Sequence, residues 1–138
     1  MVMDQPNAGF GEKGATGITR ILRAFRYSMD GIGSALQHEA AFRQELALAV
    51  IMIPVAFFVP VDWTARALLI ASVMLVLIVE LLNSALEAAV DYISKEEHHL
   101  AKRAKDMGSA AVFVSLCASG TVWAMALWSC RSLLAGGQ

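Results

Sequence analysis

Long apolar runs alternate with short charged segments along this chain. The apolar runs cover about residues 40–59, 63–92 and 107–128, and no charged residue lies between Asp106 and Arg131. A helix needs about 20 mostly apolar residues to cross the ~30 Å hydrocarbon core of a bilayer. We therefore predict three transmembrane helices over these ranges, the first of which contains Pro54.

Residues 17–30 show a different pattern. Apolar side chains recur at helical spacing at positions 18, 21, 22 and 25, while arginines at 20, 23 and 26 occupy the other side. This arrangement is typical of an amphipathic helix that lies on an anionic membrane surface. We expect Gly31 and Gly33 to break the helix before the first span.

The basic residues predict the orientation in the membrane. Arginines precede the first span, and the 93–106 loop between the second and third spans is rich in Lys and Arg, whereas only residues 60–62 join the first two spans. The positive-inside rule then places the N-terminus and the 93–106 loop in the cytoplasm. Residues 17–128 form a single domain in this interpretation, with 1–16 as a disordered lead-in and 129–138 as a C-terminal tail.

The composition agrees with an all-α membrane protein. Hydrophobic residues make up 57% of the chain and charged residues 17%, whereas a soluble domain has about 45–50% and about 25%. The net charge of -1 gives no indication of nucleic-acid binding. Ala111, Ser115 and Ser119 form a stripe of small residues that lets helices approach closely in lipid. Because three helices can hardly shield a polar interior alone, we expect a homo-oligomer.

A row of polar residues ends the second span. At ~100° per residue, Glu80, Asn83, Ser84, Glu87 and Asp91 fall on one arc of about 100°. Glu80 lies about 25 Å along the helix from its start, just inside the cytoplasmic edge of the hydrocarbon, where a carboxylate is costly and functional use is the default hypothesis. Two alternatives stay open: a structural ion pair for Glu80, and solvated helix-end acids for Glu87 and Asp91.

The chemistry of these groups suits phosphoryl transfer. Glu39, at the base of the first span, should lie level with Glu87, and two carboxylates with the Asn83 carbonyl suit Mg²⁺. Arg20 and Lys105 supply cations at the same level, with Asp106 beside Lys105. Metal ligands, cations for phosphates and a deeper carboxylate as base fit transfer to a membrane-resident hydroxyl. The sequence contains no P-loop or protein-kinase motif, so the nucleotide site would be of another kind.

Three stretches carry a family resemblance: EAAFRQE (39–45), ASVMLVLIVELLNSALEAAVD (71–91) and AKDMGSAA (104–111). They closely resemble the bacterial integral-membrane diacylglycerol kinase, and the similarity runs from about residue 17 to 128. The resemblance implies a homotrimer of three-span protomers in the inner membrane, each with an N-terminal surface helix. It also implies transfer of the γ-phosphoryl group of MgATP to the sn-3 hydroxyl of diacylglycerol, which gives phosphatidic acid.

The resemblance also implies roles for individual residues. Glu80 would be the catalytic base, Glu39 and Glu87 would hold the divalent metal, and Asn83 would organise the same pocket. The residues that match nucleotide-contacting positions are Arg20, Tyr27, Glu39, Glu87, Glu96, His98, Lys105 and Asp106. The residues that match lipid-contacting positions are Ser28, Ala41, Arg43, Glu45, Arg66, Glu80, Ser109, Trp123 and Trp128.

The chain departs from the family pattern at two lipid-facing places. RYSM (26–29) replaces Gly-Tyr-Ser-Trp, and Phe57-Phe58 replaces Cys-Trp, which bears on acyl-chain preference and not on the chemistry. One alternative is an undecaprenol kinase of the same fold, and another is a non-enzymatic membrane protein with a structural acidic ring. We also expect each active site to be completed by a neighbouring protomer.

Overall fold

Four α-helices make up the regular structure of the described chain. The computed structural model describes residues 17–93 and 98–135, with side chains up to Arg131. The helices are α1 (Ile18–His38), α2 (Ala40–Phe58), α3 (Trp63–Ile93) and α4 (His99–Ala135). Residues 17–33 are described separately from the bundle that α2, α3 and α4 form.

Three of the helices are long and apolar enough to cross a membrane: Ala40–Phe58, Trp63–Ile93 and His99–Arg131. The prediction of an all-helical chain with three membrane-length helices is therefore confirmed. At ~1.5 Å per residue, the 31 residues of α3 span about 46 Å, well beyond a ~30 Å hydrocarbon core. The acidic part of α3 therefore belongs to the same rigid helix as its apolar part.

Two predicted helix boundaries are wrong. Helix α1 does not break at Gly31 and Gly33 but continues to His38. Neither glycine adopts a positive φ, and a helix tolerates an interior glycine at a cost of about 1 kcal/mol each. The chain instead turns at Glu39, whose backbone is extended (φ -105°, ψ 110°). The Arg43 side chain donates to the carbonyls of Leu36 (3.1 Å) and Gln37 (3.3 Å), which satisfies acceptors at the end of α1.

The second difference concerns the basic loop. Residues 99–106 were predicted to be part of the 93–106 loop, but α4 already begins at His99. Leu, Ala, Lys and Arg are good helix formers, and Lys102 Nζ pairs with Asp106 Oδ2 one turn later at 2.9 Å. The third span and the basic residues that precede it therefore form one helix.

Polar contacts close the hairpin between α2 and α3. Asp62 Oδ1 accepts hydrogen bonds from the backbone N–H of Thr64 (2.7 Å) and Ala65 (3.0 Å), which caps α3. The bond from Ala65, followed by that from Thr64, lowers the pKa of the Asp62 carboxyl. Arg66 donates from Nε to Ala56 O and from Nη2 to Val59 O, both at 3.1 Å, and its guanidinium lies 4.8 Å from the Trp63 ring centroid.

Helix α3 lies between α2 and α4 and packs against both. At the hairpin end of the bundle, Ala56, Val59, Leu69 and Cys130 form a buried cluster. Further along, Ser72 Oγ and Ser119 Oγ lie 3.2 Å apart across the α3–α4 contact. Ser115 and Ser119 of the predicted small-residue stripe are buried, whereas Ala111 is exposed. The two serines therefore allow close approach of α3 and α4 within one chain.

Candidate active site

The polar arc of α3 faces the interior of the bundle at the end opposite the hairpin. We call this end the acidic end; it comprises residues 80–91 of α3 and the structure around them. Glu80 is 4% exposed and Ser84 9% exposed. Asn83 and Glu87 are half-buried, and Asp91 is exposed. The carboxylates of the arc become more exposed from Glu80 through Glu87 to Asp91, so the helix presents one deeply buried acid followed by two that are increasingly accessible to water.

Four carboxylates gather around this arc. Glu39, Glu45 and Glu87 all lie close enough to Glu80 for their charges to interact with it. No Lys or Arg among the described residues forms an ion pair with Glu80. The alternative role of Glu80 as a partner in a structural ion pair is therefore not supported by the described residues of one protomer. Glu45 Oε2 is buried and has no hydrogen-bond partner within the described ranges. Buried acids without counter-charges are costly, and such clusters are typical of sites that bind cations or move protons.

Asn83 holds Glu87 in place. Asn83 Nδ2 donates a hydrogen bond to Glu87 Oε1 at 3.1 Å, which leaves Oε2 of Glu87 for another ligand. The sequence predicted that the Asn83 carbonyl would join the two carboxylates, but in the structure its oxygen is buried and faces Gly108 of α4. Asn83 therefore acts on the acid through its nitrogen, and orients a candidate metal ligand.

The oxygen donors at the acidic end fit a divalent cation that shares its coordination with phosphate. Glu39 occupies the N-cap position of α2, yet its carboxylate makes no capping hydrogen bond and stays available. Among the described residues of one chain, no three His, Cys, Asp or Glu side chains form a metal-binding group. Mg²⁺ is usually bound by one or two carboxylates, with water and phosphate oxygens completing the shell. Glu39 and Glu87 match that mode of binding.

Two ion pairs position the predicted nucleotide-contacting residues of α4, Lys105 and Asp106. Lys105 Nζ donates to Asp91 Oδ1 at 2.5 Å, and Lys105 also lies in electrostatic range of Glu87. Asp106 is held by Lys102. The sequence placed Asp91 on the polar arc but gave it no role, and nothing in the local pattern identifies a partner 14 residues away.

The four other predicted nucleotide contacts belong to other segments of the chain. Arg20 and Tyr27 are exposed residues of the segment 17–33. Glu96 lies outside the described residues. His98 precedes α4, where its Nδ1 accepts a hydrogen bond from Leu100 N at 3.2 Å, and its ring lies 4.5 Å from that of His99.

The predicted lipid-contacting residues are spread along the chain. Ser28, Ala41 and Ser109 are exposed, and Arg43 binds the end of α1. Arg66 lies at the hairpin end, about 21 Å along α3 from Glu80 at ~1.5 Å per residue. Trp123 packs against the hairpin cluster and Trp128 is exposed. These residues therefore mark different depths of the bundle, not one pocket.

An apolar groove lies on the surface of the bundle. It has a volume of about 500 Å³ and lies between α3 and α4, where Leu75, Val79, Met107 and Val114 contribute to its lining. Val79 directly precedes Glu80 in the chain. The groove is therefore an apolar surface at about the depth of Glu80 that an acyl chain can cover.

Comparison with known proteins adds independent findings. The family model of prokaryotic diacylglycerol kinase matches residues 26–127. A diacylglycerol kinase of Pseudomonas aeruginosa is 56% identical over 115 residues, which cover 83% of this chain and 94% of that protein. A diacylglycerol kinase of Escherichia coli is 51% identical over 114 residues, 83% of this chain and 93% of that protein. One from Helicobacter pylori is 42% identical over 109 residues, 79% of this chain and 85% of that protein.

Proposed function

Because the chain belongs to the prokaryotic diacylglycerol kinase family, it is a multi-pass membrane enzyme that phosphorylates diacylglycerol, and we propose that Glu80 is the base of this reaction. The observation that carries the proposal is the burial of Glu80, 4% exposed, at the acidic end of a membrane-length helix. A carboxylate in that place can reach a lipid hydroxyl and is shielded from bulk water.

Glu80 accepts the proton of the sn-3 hydroxyl as that oxygen attacks the γ-phosphorus of ATP, and phosphatidic acid and ADP are the products. General-base catalysis of this kind contributes about 10²–10⁴-fold to rate. The carboxylates of Glu39, Glu45 and Glu87 lie in electrostatic range of Glu80. A cation at the acidic end would offset this accumulation of negative charge around the base.

Glu39 and Glu87 would hold Mg²⁺, which would neutralise charge on the ATP phosphates. Asn83 donates to one oxygen of Glu87 and leaves the other oxygen available as a ligand. Lys105, held by Asp91, places a cation beside the same acid. Positioning and charge neutralisation supply most of the catalysis in phosphoryl transfer.

The other nucleotide contacts in the proposal are Arg20, Tyr27, Glu96, His98 and Asp106. The lipid contacts in the proposal are Ser28, Ala41, Arg43, Glu45, Arg66, Ser109, Trp123 and Trp128. The distribution of the lipid group over the bundle fits a substrate whose headgroup reaches Glu80 while its acyl chains follow the apolar helix faces. The groove beside Val79 supplies one such face.

The assembly is a homotrimer, with the N-terminus and the 93–106 segment on the cytoplasmic side and α1 as an amphipathic surface helix. Arginines before the first span and the basic start of α4 support this orientation. It places Glu87, Asp91 and Lys105 at the cytoplasmic face, where ATP is available. A base deeper in the same helix is then accessible to the lipid substrate.

The alternative substrate, undecaprenol, is not favoured, because the relatives that match most of the chain are named diacylglycerol kinases. A purely structural acidic ring is not favoured for the same reason.

A lipid-kinase assay tests the proposal directly. Purified protein in mixed micelles receives γ-labelled ATP, Mg²⁺ and either diacylglycerol or undecaprenol. We expect labelled phosphatidic acid from the parent and a loss of about 10²–10⁴-fold in Glu80→Gln, which keeps the shape of the side chain and removes the base. Asp30→Asn, an exposed carboxylate of α1 without an assigned role, is the control and retains parental activity. Equal rates for Glu80→Gln and the parent would rule out the proposed base.

A further inference from the structure

Gly108 of α4 is packed directly against Asn83 of α3. A Cβ atom built on Gly108 would overlap Asn83 Oδ1 and would lie 3.3 Å from both Asn83 Cγ and Leu86 Cδ2. A side chain at 108 therefore cannot coexist with the present position of the Asn83 amide. Gly120, in the same helix, has no atom within 4 Å of the equivalent Cβ position. The contact is thus a property of position 108 and not of glycines in α4 generally.

The hydrogen bond to Glu87 fixes which way round the amide lies. Asn83 Nδ2 donates to Glu87 Oε1 at 3.1 Å, and the reversed amide would turn an acceptor toward a carboxylate. Oδ1 must then point away from Glu87, which is where Gly108 lies. This oxygen is buried and has no hydrogen-bond partner in the part of the chain that the structure describes. The position of Asn83 Oδ1 is therefore set by steric fit against the backbone of Gly108 and not by a hydrogen bond.

We propose that Gly108 is a positioning residue of the kinase: its lack of a side chain seats the Asn83 amide, which in turn orients Glu87. This inference rests on the proposed role of Glu87 as a metal ligand. A Cβ at position 108 displaces the Asn83 amide. Glu87 Oε1 then loses the hydrogen bond from Asn83 Nδ2 that orients the carboxylate. Removing the outer hydrogen-bond partner of a metal ligand typically costs about 10–100-fold in metal affinity or activity.

The experiment compares Gly108→Ala with Gly120→Ala in the full-length protein. Alanine raises helix propensity equally at both positions, so a difference between the variants reports the contact at 108. The measurements are kcat, separate KM values for ATP and diacylglycerol, and Mn²⁺ affinity by electron paramagnetic resonance with a non-hydrolysable ATP analogue. In Gly108→Ala we expect kcat or Mn²⁺ affinity to fall about tenfold or more, with the KM for diacylglycerol unchanged. Gly120→Ala should behave as the parent.

A second pair of variants separates positioning from simple packing. Asn83→Ala leaves room for the new Cβ, so Gly108→Ala should cause no additional loss of kcat or Mn²⁺ affinity in that background. If Gly108→Ala alone fails to fold, recovery of the folded oligomer in the double variant, with the properties of Asn83→Ala, supports the same steric relationship. Failure of the double variant to fold overturns it.

Three further outcomes overturn the inference. Parental kcat and Mn²⁺ affinity in Gly108→Ala, with Asn83→Ala impaired, would remove the role of Gly108 and leave the proposed site intact. Loss of thermal stability with both kcat and Mn²⁺ affinity intact would reduce the contact to bundle packing. Parental behaviour of Asn83→Ala would overturn the proposed site at Asn83 together with the inference.

Discussion

Lys105 and Asp91 form an ion pair that joins the start of α4 to the end of α3, with Nζ and Oδ1 2.5 Å apart. Both belong to the acidic end, and Lys105 also interacts electrostatically with Glu87. The pair therefore connects the two helices at the level where the phosphates of ATP are expected.

Asp91→Asn should raise the KM for ATP by a small factor, about two- to fivefold, because an exposed ion pair contributes little energy but its loss frees the Lys105 side chain. Steady-state kinetics at saturating diacylglycerol measures the effect. Asp30→Asn removes the same charge from α1 and serves as the control. An unchanged KM for ATP in Asp91→Asn would show that the pair does not position Lys105.

Glu80→Gln should raise thermal stability while it lowers turnover. The carboxylate is 4% exposed and surrounded by other acids, so a neutral group of the same shape relieves both burial and repulsion. Active sites commonly trade stability for function in this way. Thermal unfolding in detergent, without metal or nucleotide, is the measurement. A lower unfolding temperature in Glu80→Gln would indicate that the carboxylate stabilises the fold.

Arg66→Lys should destabilise the bundle. The guanidinium donates hydrogen bonds to the carbonyls of Ala56 and Val59 and stacks on the Trp63 ring. The ammonium group of lysine cannot form both hydrogen bonds in this geometry or stack on the ring. Loss of charged hydrogen bonds of this kind costs about 1.5–3 kcal/mol. Thermal unfolding and the KM for diacylglycerol, measured on the same variant, separate the two roles. A raised KM for diacylglycerol with an unchanged unfolding temperature would show that Arg66 contacts the lipid but does not stabilise the bundle.

The Asp62 cap predicts a pH dependence of stability. The pKa of Asp62 is lower in the folded protein than its ordinary value of 3.8 because the backbone N–H groups of Ala65 and Thr64 bond the carboxylate. Its stabilising contribution is therefore complete above about pH 4 and is lost as the pH falls through the lower folded-state pKa. Asp62→Ala should lower the unfolding temperature at pH 7, and the difference from the parent should shrink toward pH 3. A difference that stays constant with pH would contradict the cap.

The sequence predicted the three spans and the inward-facing polar arc because both follow from helical periodicity over long runs. Glu80 and Ser84 are buried at the positions that this period gives. It did not predict the continuation of α1 past Gly31 and Gly33, because the turn depends on the extended backbone of Glu39 and on carbonyls bound by Arg43. The contacts Asn83–Gly108 and Asp91–Lys105 were also missed. Both join residues of different helices, and their register depends on the segment between α3 and α4.

The carboxylates of one protomer lead to a test of shared active sites. No three acidic, His or Cys side chains form a metal group among the described residues of one chain, and Glu39 lies between α1 and α2 whereas Glu80 lies in α3. If Glu39 of one protomer serves Glu80 of its neighbour, co-expression of Glu39→Gln and Glu80→Gln chains regenerates intact sites in mixed trimers. At equal amounts and random assembly, about a quarter of the parental activity should return.

The control is each variant expressed alone, together with a mixture prepared after separate purification, in which subunits do not exchange. Both should remain inactive, since neither contains a site with Glu39 and Glu80 intact. If each protomer contains its own complete site, every site in a mixed trimer lacks one carboxylate, and no mixing ratio restores activity. Activity that rises with the fraction of mixed trimers therefore requires the two acids of one site to come from different chains.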